Sequence, residues 1–196
     1  KRQRNGYETY AVVGAESDPA SLPTGEGTYM YDGAFLASLF VAAELLSDQL
    51  AGTVSLGADF AGGTVSFELN GENVEPDGSG GEYVLSLSSE EGGLTVTGSR
   101  YTGAVSGAIS GSGIAHGGSG GGMGGGPGGG PGGVDAGIGL EGEVLGAFYG
   151  DEGIATAGVF AADNDNHHLA DESDPLYGVV GGYGAVLTDS PPEVME

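Results

Sequence analysis

The sequence contains no cysteine, no tryptophan and very few basic residues. Without cysteine the chain has no disulfide framework, no thiolate metal site, no thiol nucleophile and no attachment point for a lipid. Lysine and arginine together supply 4 of the 196 residues, aspartate and glutamate supply 28, and the formal net charge is −24. Because a nucleic-acid binder needs clustered basic side chains, this balance excludes that class of function.

The basic residues are concentrated at the start of the chain. Lys1, Arg2 and Arg4 are three of the four, and residues 5–99 contain none. Because basic residues are so few, anionic membrane surfaces are disfavoured as partners, except through this short N-terminal basic stretch. The acidity suits a secreted protein in a salt-rich medium, and simple solubility is the alternative explanation. The opening residues lack the apolar run of a signal peptide, so we expect a mature or truncated chain.

Glycine, by contrast, supplies 44 residues, and the apolar residues fall into short, evenly spaced runs. Glycine allows tight turns and bulges that other residues enter at a cost. The glycine pairs at 62–63 and 92–93 mark two such turns. The runs predict strands at 27–32, 53–60, 64–69, 83–87, 94–97, 104–114, 138–148 and 154–161. We therefore predict an all-β fold, an eight-stranded antiparallel up-and-down barrel that leaves no edge strand.

Three further segments are assigned by composition. Residues 34–46 are rich in alanine and leucine and predict one short apolar helix, too short for the roughly 20 residues that cross a bilayer. Residues 7–13 and 179–187 predict extra terminal strands outside the barrel. The expected organisation is an N-terminal arm over 1–24, a barrel domain over 25–162 and an acidic C-terminal arm over 163–196.

A glycine-rich tract fills residues 117–133, with the sequence GGSGGGMGGGPGGGPGG. Such a segment buries almost nothing against a large ordering entropy, which favours a flexible loop. An extended, polyglycine-like packing against another part of the protein remains the alternative.

Three stretches resemble one known family. They are GEGTYMYDG at 25–33, GTVSLGADFAGGTVSFELNG at 52–71 and GAFYGDEGIATAGVF at 146–160. The last is similar to a family pattern, Gly-x-Phe-Tyr-Gly-Pro-x-Ala-x-Glu-x-Gly-Gly-x-Phe, near the end of the barrel. The matching positions are Gly146, Phe148, Tyr149, Gly150, Gly158 and Phe160, whereas Asp151, Gly153, Ala155 and Ala157 depart from the pattern. The chain thus resembles the transferrin-binding-protein-B-like β-barrel domains of Gram-negative surface lipoproteins and secreted haemophores.

The resemblance implies a non-enzymatic binding domain. In that family the barrel is a scaffold, displayed or released outside the outer membrane, and its loops bind host proteins, iron carriers or haem. The sequence also lacks the motifs of common enzymes: it has no nucleophile elbow around a serine, no HExxH metal motif and no phosphate-binding loop. We expect no enzymatic activity, and an extracellular or outer-membrane-surface location.

Two groups of side chains are candidates for ligand or metal binding. Imidazoles bind haem iron and transition metals, and carboxylates bind calcium. The histidines are His116, His167 and His168, and the acidic candidates are Asp163, Asp165 and Asp171. The acidic run lacks the glycine and spaced glutamate of an EF-hand, so a solvated polar segment is the alternative to calcium or haem binding.

A second hypothesis for the function is a structural role, as a subunit of an extracellular assembly. Strand candidates at both termini could complete the sheet of a neighbouring copy, and head-to-tail contacts of this kind build filaments. The side chains expected at such contacts are Tyr7, Tyr10, Val12, Val179, Tyr183 and Val186. Under the binding hypothesis the partner is another protein, bound by the loops. Under the structural hypothesis the partner is a second copy of this chain in an extracellular fibre or surface layer.

Overall fold

The computed structural model describes residues 12, 14–41, 44–74, 83–111, 137–164 and 177–191. Within these residues the chain forms nine strands and two short 3-10 turns, Pro19–Ser21 and Asp151–Gly153. The strands are β1 Tyr29–Val41, β2 Glu44–Asp59, β3 Thr64–Asn73, β4 Tyr83–Ser89, β5 Leu94–Thr97, β6 Arg100–Gly111, β7 Ile138–Tyr149, β8 Ala155–Asp163 and β9 Tyr177–Asp189. No helix among the described residues is long and apolar enough to span a bilayer.

The strands close into one antiparallel barrel. Each pairs with its neighbours in the order β1, β2, β3, β4, β6, β7, β8 and β9, and β9 pairs back onto β1. The remaining strand, β5, also lies between β3 and β6, continuing along the line of β4. β4 and β5 are therefore two halves of one barrel strand, interrupted at 90–93, where Gly92 and Gly93 adopt φ angles of +100° and +72° that favour glycine.

The prediction of an eight-stranded antiparallel barrel is confirmed, but its membership differs from the predicted set. β9 lies between β1 and β8, whereas we expected this strand outside the barrel. The expectation was wrong because β1 and β8 do not pair with each other. Without β9 both would present unpaired edges, which closed barrels avoid.

The predicted helix over 34–46 is also wrong. The stretch spans the end of β1 and the start of β2, which pair across residues 42–43, with Val41 opposite Glu44. Phe35 and Leu39 face the core, while Ala34 and Leu36 lie on the exposed face, the alternation of a strand. Apolar residues on both faces hide the two-residue period, so composition alone favoured a helix.

Packed side chains fill the barrel interior. Tyr31, Tyr101, Phe148 and Phe160 are among the largest fully buried residues, and aliphatic side chains occupy the space between them. Two paired glycines, Gly146 on β7 and Gly158 on β8, leave room for tyrosine, because a Cβ at either position would overlap the Tyr183 hydroxyl. The core is continuous among the described strands and forms a solid scaffold.

Candidate functional site

The two ends of the barrel differ in the length of their connections. At one end the strands are joined across 60–63, 98–99 and 150–154. At the other end the chain leaves and re-enters the barrel across 42–43, 74–82, 112–137 and 164–176. Every long connection therefore departs from the same end, which we call the loop end.

The ligand candidates belong to connections that leave the barrel at the loop end. His116 belongs to the connection between β6 and β7, and the sequence around His167 and His168 belongs to the connection between β8 and β9. These histidines, Asp165 and Asp171 lie outside the described residues. Asp163 is described, and it is the exposed last residue of β8, opposite Gly178. No cluster of three or more potential metal ligands occurs among the described residues.

The described part of the loop end is acidic. Glu141 on β7 is directly opposite Asp163 on β8, and both line a cleft of about 290 Å³ together with Ser106 and Asn164. Like charges at opposed positions of neighbouring strands repel. The sequence places no lysine or arginine in any loop-end connection, because the fourth basic residue, Arg100, begins β6 at the opposite end. A positively charged partner surface or a cation would therefore complement this end.

The barrel interior offers a ligand no polar group in need of a partner. Among the described residues no buried side-chain nitrogen or oxygen lacks a hydrogen bond. The Tyr101 hydroxyl lies 2.8 Å from the Tyr183 hydroxyl and 2.6 Å from Oγ1 of Thr156, which in turn donates to the Ala147 carbonyl at 2.9 Å. Tyr31 donates to the Gly153 carbonyl at 2.7 Å. The described polar groups of the interior are therefore already paired with one another.

Burial keeps the interior phenols neutral. Desolvation raises the pKa of Tyr101 to about 12 and raises that of Tyr183 well above its ordinary value. Both hydroxyls therefore serve as neutral hydrogen-bond partners. The sequence did not single out Tyr101 or Thr156, because a tyrosine within an alternating strand has the same pattern whether or not its hydroxyl finds a partner.

A second external surface runs over four strands on the outside of the barrel. In successive pairings Leu145 on β7 is opposite Val159 on β8, which is opposite Gly182 on β9, which is opposite Leu36 on β1. The adjacent row joins Ala157, Gly184 and Ala34. We call these seven uncharged residues the outer wall: Ala34, Leu36, Leu145, Ala157, Val159, Gly182 and Gly184.

The N-terminal segment crosses the barrel beside this wall. The Ser17 amide donates to the Phe148 carbonyl at 2.9 Å, and Ser17 Oγ donates to the Gly150 carbonyl at 2.6 Å. Glu16 accepts hydrogen bonds from the Arg100 guanidinium at 2.9 Å and 2.6 Å. This ion pair holds the pKa of Glu16 below its usual range. The lone basic residue after position 4 was visible in the sequence, but its partner was not.

The residues predicted for assembly are distributed differently from the expectation. Val179 and Tyr183 lie in the barrel core, 2% and 4% exposed, and β9 is paired on both sides, so this strand has no free edge to donate. Val186 and Val12 are exposed at 59% and 36%. Tyr7 and Tyr10 lie outside the described residues, and the N-terminal half of the assembly hypothesis stays a prediction.

No protein-family model and no curated protein sequence matches this chain. Among solved structures, a mutant of transferrin binding protein B from Haemophilus parasuis, a vaccine antigen, is similar over 89% of this chain and 29% of its own, with 14% identity and a TM-score of 0.44. Isotype 1 transferrin binding protein B from serogroup B Neisseria meningitidis is similar over 90% of this chain and 28% of its own, with 14% identity and a TM-score of 0.45. The chain spans less than a third of the length of either protein.

Proposed function

We propose that this chain is a non-enzymatic, extracellular or cell-surface binding domain of a Gram-negative bacterium, and that it binds through the connections at its loop end. The observation that supports this most directly is the asymmetry of the barrel. A packed scaffold with short turns at one end and every long connection at the other is an arrangement in which loops bind and the barrel positions them.

The chemistry of the loop end narrows the class of partner. Glu141 and Asp163 are opposite each other at this end, and the sequences of the loop-end connections contain no lysine or arginine. Such a surface favours a partner that presents positive charge, and it accelerates encounter at low ionic strength. A host protein or iron carrier with a basic patch fits this chemistry, and haem or calcium could be held by the histidines and aspartates of the same connections.

The sequence resemblance supports the same function. The stretch with the most specific match, 146–160, forms the end of β7, the turn and most of β8, with Gly146 opposite Gly158. The pattern therefore describes a scaffold element at the end away from the long connections. The pattern therefore supports a binding domain of this barrel type. It carries no information on the ligand, which we propose is selected by the connections at the loop end.

The test compares the whole chain with a loop-end variant. In the variant, a short Gly-Ser linker replaces residues 112–136 and a second linker replaces 165–176. Iron-loaded transferrin, haemin and Ca²⁺ are titrated separately, by interferometry, Soret absorbance and calorimetry. We expect the whole chain to bind at least one of them and the variant to lose that binding while its thermal unfolding still shows a folded barrel.

A matched control changes charge at the opposite end. Asp151→Asn with Glu152→Gln removes two exposed carboxylates from the turn between β7 and β8, and binding should be unaffected. Binding of none of the three probes by the whole chain, or binding that survives loss of both connections, would overturn the proposal.

A further inference from the structure

We propose that a cleft on the outside of the barrel binds a small amphipathic anion, a carboxylate attached to an apolar body, and that Arg100 holds the carboxylate. This site lies on the side of the barrel near its short turns, away from the loop end, so it stands or fails independently of the proposed function. It rests on the lining of the cleft, the shape of its floor and the present partner of Arg100.

The cleft has a volume of about 550 Å³ and lies over β5, β6, β7 and β8. Among the described residues that line it, only Arg100 carries a charge, and Arg100 is also the one lysine or arginine in the described part of the chain. Its side chain is 71% exposed. On this acidic protein the cleft is therefore a surface whose charge complements an anion.

The strand pairing gives the cleft a recessed floor that begins at the cation. Arg100 on β6 is opposite Ala147 on β7, and Ala147 is opposite Ala157 on β8. Alanine side chains are short, so this row forms a shallow trough that runs across the strands. Two strand spacings cover about 10 Å, which is the length of a medium-chain acyl group or of two fused aromatic rings.

Larger side chains border the trough. Leu145 is 55% exposed and lies opposite Val159 in the next row, and Tyr149 lies on the other side of the trough, two residues after Ala147. All three line the cleft. An apolar body placed between them is removed from water, and the gain in free energy grows with the apolar area that is buried.

Threonine hydroxyls surround the charged end of the trough. Thr97 on β5 is opposite Arg100, and Thr95 is opposite Thr102. The three threonines are exposed and line the cleft. A hydroxyl donates to carboxylate oxygens, so the end that carries the cation also carries neutral donors. The polar end and the apolar trough together match the two parts of an amphipathic carboxylate.

Glu16 already shows how a carboxylate binds at this place. Its Oε2 accepts from Nε of Arg100 at 2.9 Å, and its Oε1 accepts from Nη2 at 2.6 Å. This is the bidentate geometry in which arginine holds carboxylates. An ion pair between exposed side chains is weak, so a ligand that also buries an apolar body displaces the Glu16 carboxylate from the guanidinium.

The test uses octanoate as the probe and octanamide, of the same length but uncharged, as the matched ligand. Each is titrated into the ¹⁵N-labelled whole chain at physiological ionic strength, where charges more than about 8 Å apart are screened. We expect octanoate to shift the amide signals of Arg100, Leu145 and Ala157 and to leave that of Val84, on β4, unchanged. Because Glu16 competes for Arg100, octanoate should bind only about threefold more tightly than octanamide.

Single substitutions assign the roles within the cleft. Arg100→Gln should abolish the preference for octanoate while octanamide still binds, and Glu16→Gln should raise that preference to about tenfold by removing the competitor. Leu145→Ala should weaken the binding of both ligands. Val84→Ala shortens an aliphatic side chain of similar exposure, 49% against 55%, on a distant strand and should change neither.

Three results would each overturn the proposal. They are absence of shifts at the cleft, a preference for octanoate that survives Arg100→Gln, and weaker binding of octanoate by Glu16→Gln. The last would mean that Glu16 positions Arg100 and does not compete with the ligand. The loop-end variant should bind octanoate as the whole chain does, which keeps this result separate from the test of the proposed function.

Discussion

The hydroxyl groups of Tyr101 and Tyr183 share a hydrogen bond of 2.8 Å inside the barrel, linking β6 to β9 across its interior. The two residues differ in their other partners. Tyr101 also contacts Thr156, whereas the described contacts of the Tyr183 hydroxyl include only Tyr101.

The difference in partners predicts unequal effects of removing each hydroxyl. Tyr101→Phe leaves the buried Tyr183 hydroxyl unpaired and should lower the free energy of unfolding by about 2 kcal/mol, within the usual cost of an orphaned buried polar group. Tyr183→Phe leaves Tyr101 bonded to Thr156 and should cost about 1 kcal/mol. Urea denaturation of both variants measures the difference, and the double variant should cost less than the sum. Equal losses in the two single variants would contradict the network.

The burial of Tyr101 makes the stability of the barrel depend on pH in the alkaline range. The pKa of Tyr101 is about 12 in the folded protein and about 10 when exposed. Its contribution to stability is therefore complete below pH 10 and is lost as pH rises from 10 towards 12. Denaturation at several pH values, with phenolate absorbance recorded in parallel, measures this loss. In Tyr101→Phe the decline over that range should be smaller; an unchanged decline would assign it to other groups.

Gly146 and Gly139 lie on the same strand, but we expect alanine at the two positions to have opposite effects on stability. A Cβ at Gly146 would overlap the ring and hydroxyl of Tyr101 and the hydroxyl of Tyr183, whereas a Cβ at Gly139 would meet nothing within 4 Å. Gly146→Ala should destabilise the barrel by about 1–3 kcal/mol, the usual cost of overpacking. Gly139→Ala should be neutral or stabilise by about 0.5 kcal/mol through the unfolded state. Thermal unfolding of the two variants provides the comparison, and similar melting temperatures would contradict the close approach at Gly146.

Loss of the ion pair between Glu16 and Arg100 should loosen the N-terminal segment locally and leave the stability of the barrel unchanged. Glu16→Gln should weaken the attachment of the N-terminal segment and speed hydrogen exchange of the Ser17 amide, which donates to Phe148. In the unaltered protein this attachment is present above the ordinary pKa of glutamate and is lost as pH falls through the lowered pKa of Glu16. Exchange rates at Ser17 measure both effects. Glu91→Gln, an exposed carboxylate in the turn before β5, is the control and should leave Ser17 unchanged.

The regular strands of the barrel were predictable because short apolar runs alternate with glycine-rich turns. The hairpin at 62–63 and the pairing of β7 with β8 occur where the pattern placed them. The turn between β1 and β2 was not predictable, since residues 34–46 contain no glycine, proline, asparagine or aspartate to mark it. β9 was recognised as a strand but not as a barrel member, because membership depends on closure between β8 and β1, a long-range pairing that local pattern does not encode.

The site was predictable only in part. Sequence identified the residues of the long connections as candidate ligands, but the position of those connections at one end follows from strand order. The outer wall could not be predicted from the sequence for a related reason. Leu145, Val159 and Leu36 are far apart in sequence, and only the pairing of β7, β8, β9 and β1 places them in one row.

The pairing of β1 with β9 also determines how this domain would respond to tension. The start of β1 and the end of β9 lie together, with Met30 opposite Asp189, at the end away from the long connections. A force that pulled these two points apart would load the hydrogen bonds between the strands one after another, because antiparallel neighbours pulled from the same end peel like a zipper. When it is pulled at these two points, the barrel would therefore open at low force, one hydrogen bond at a time along the β1–β9 seam.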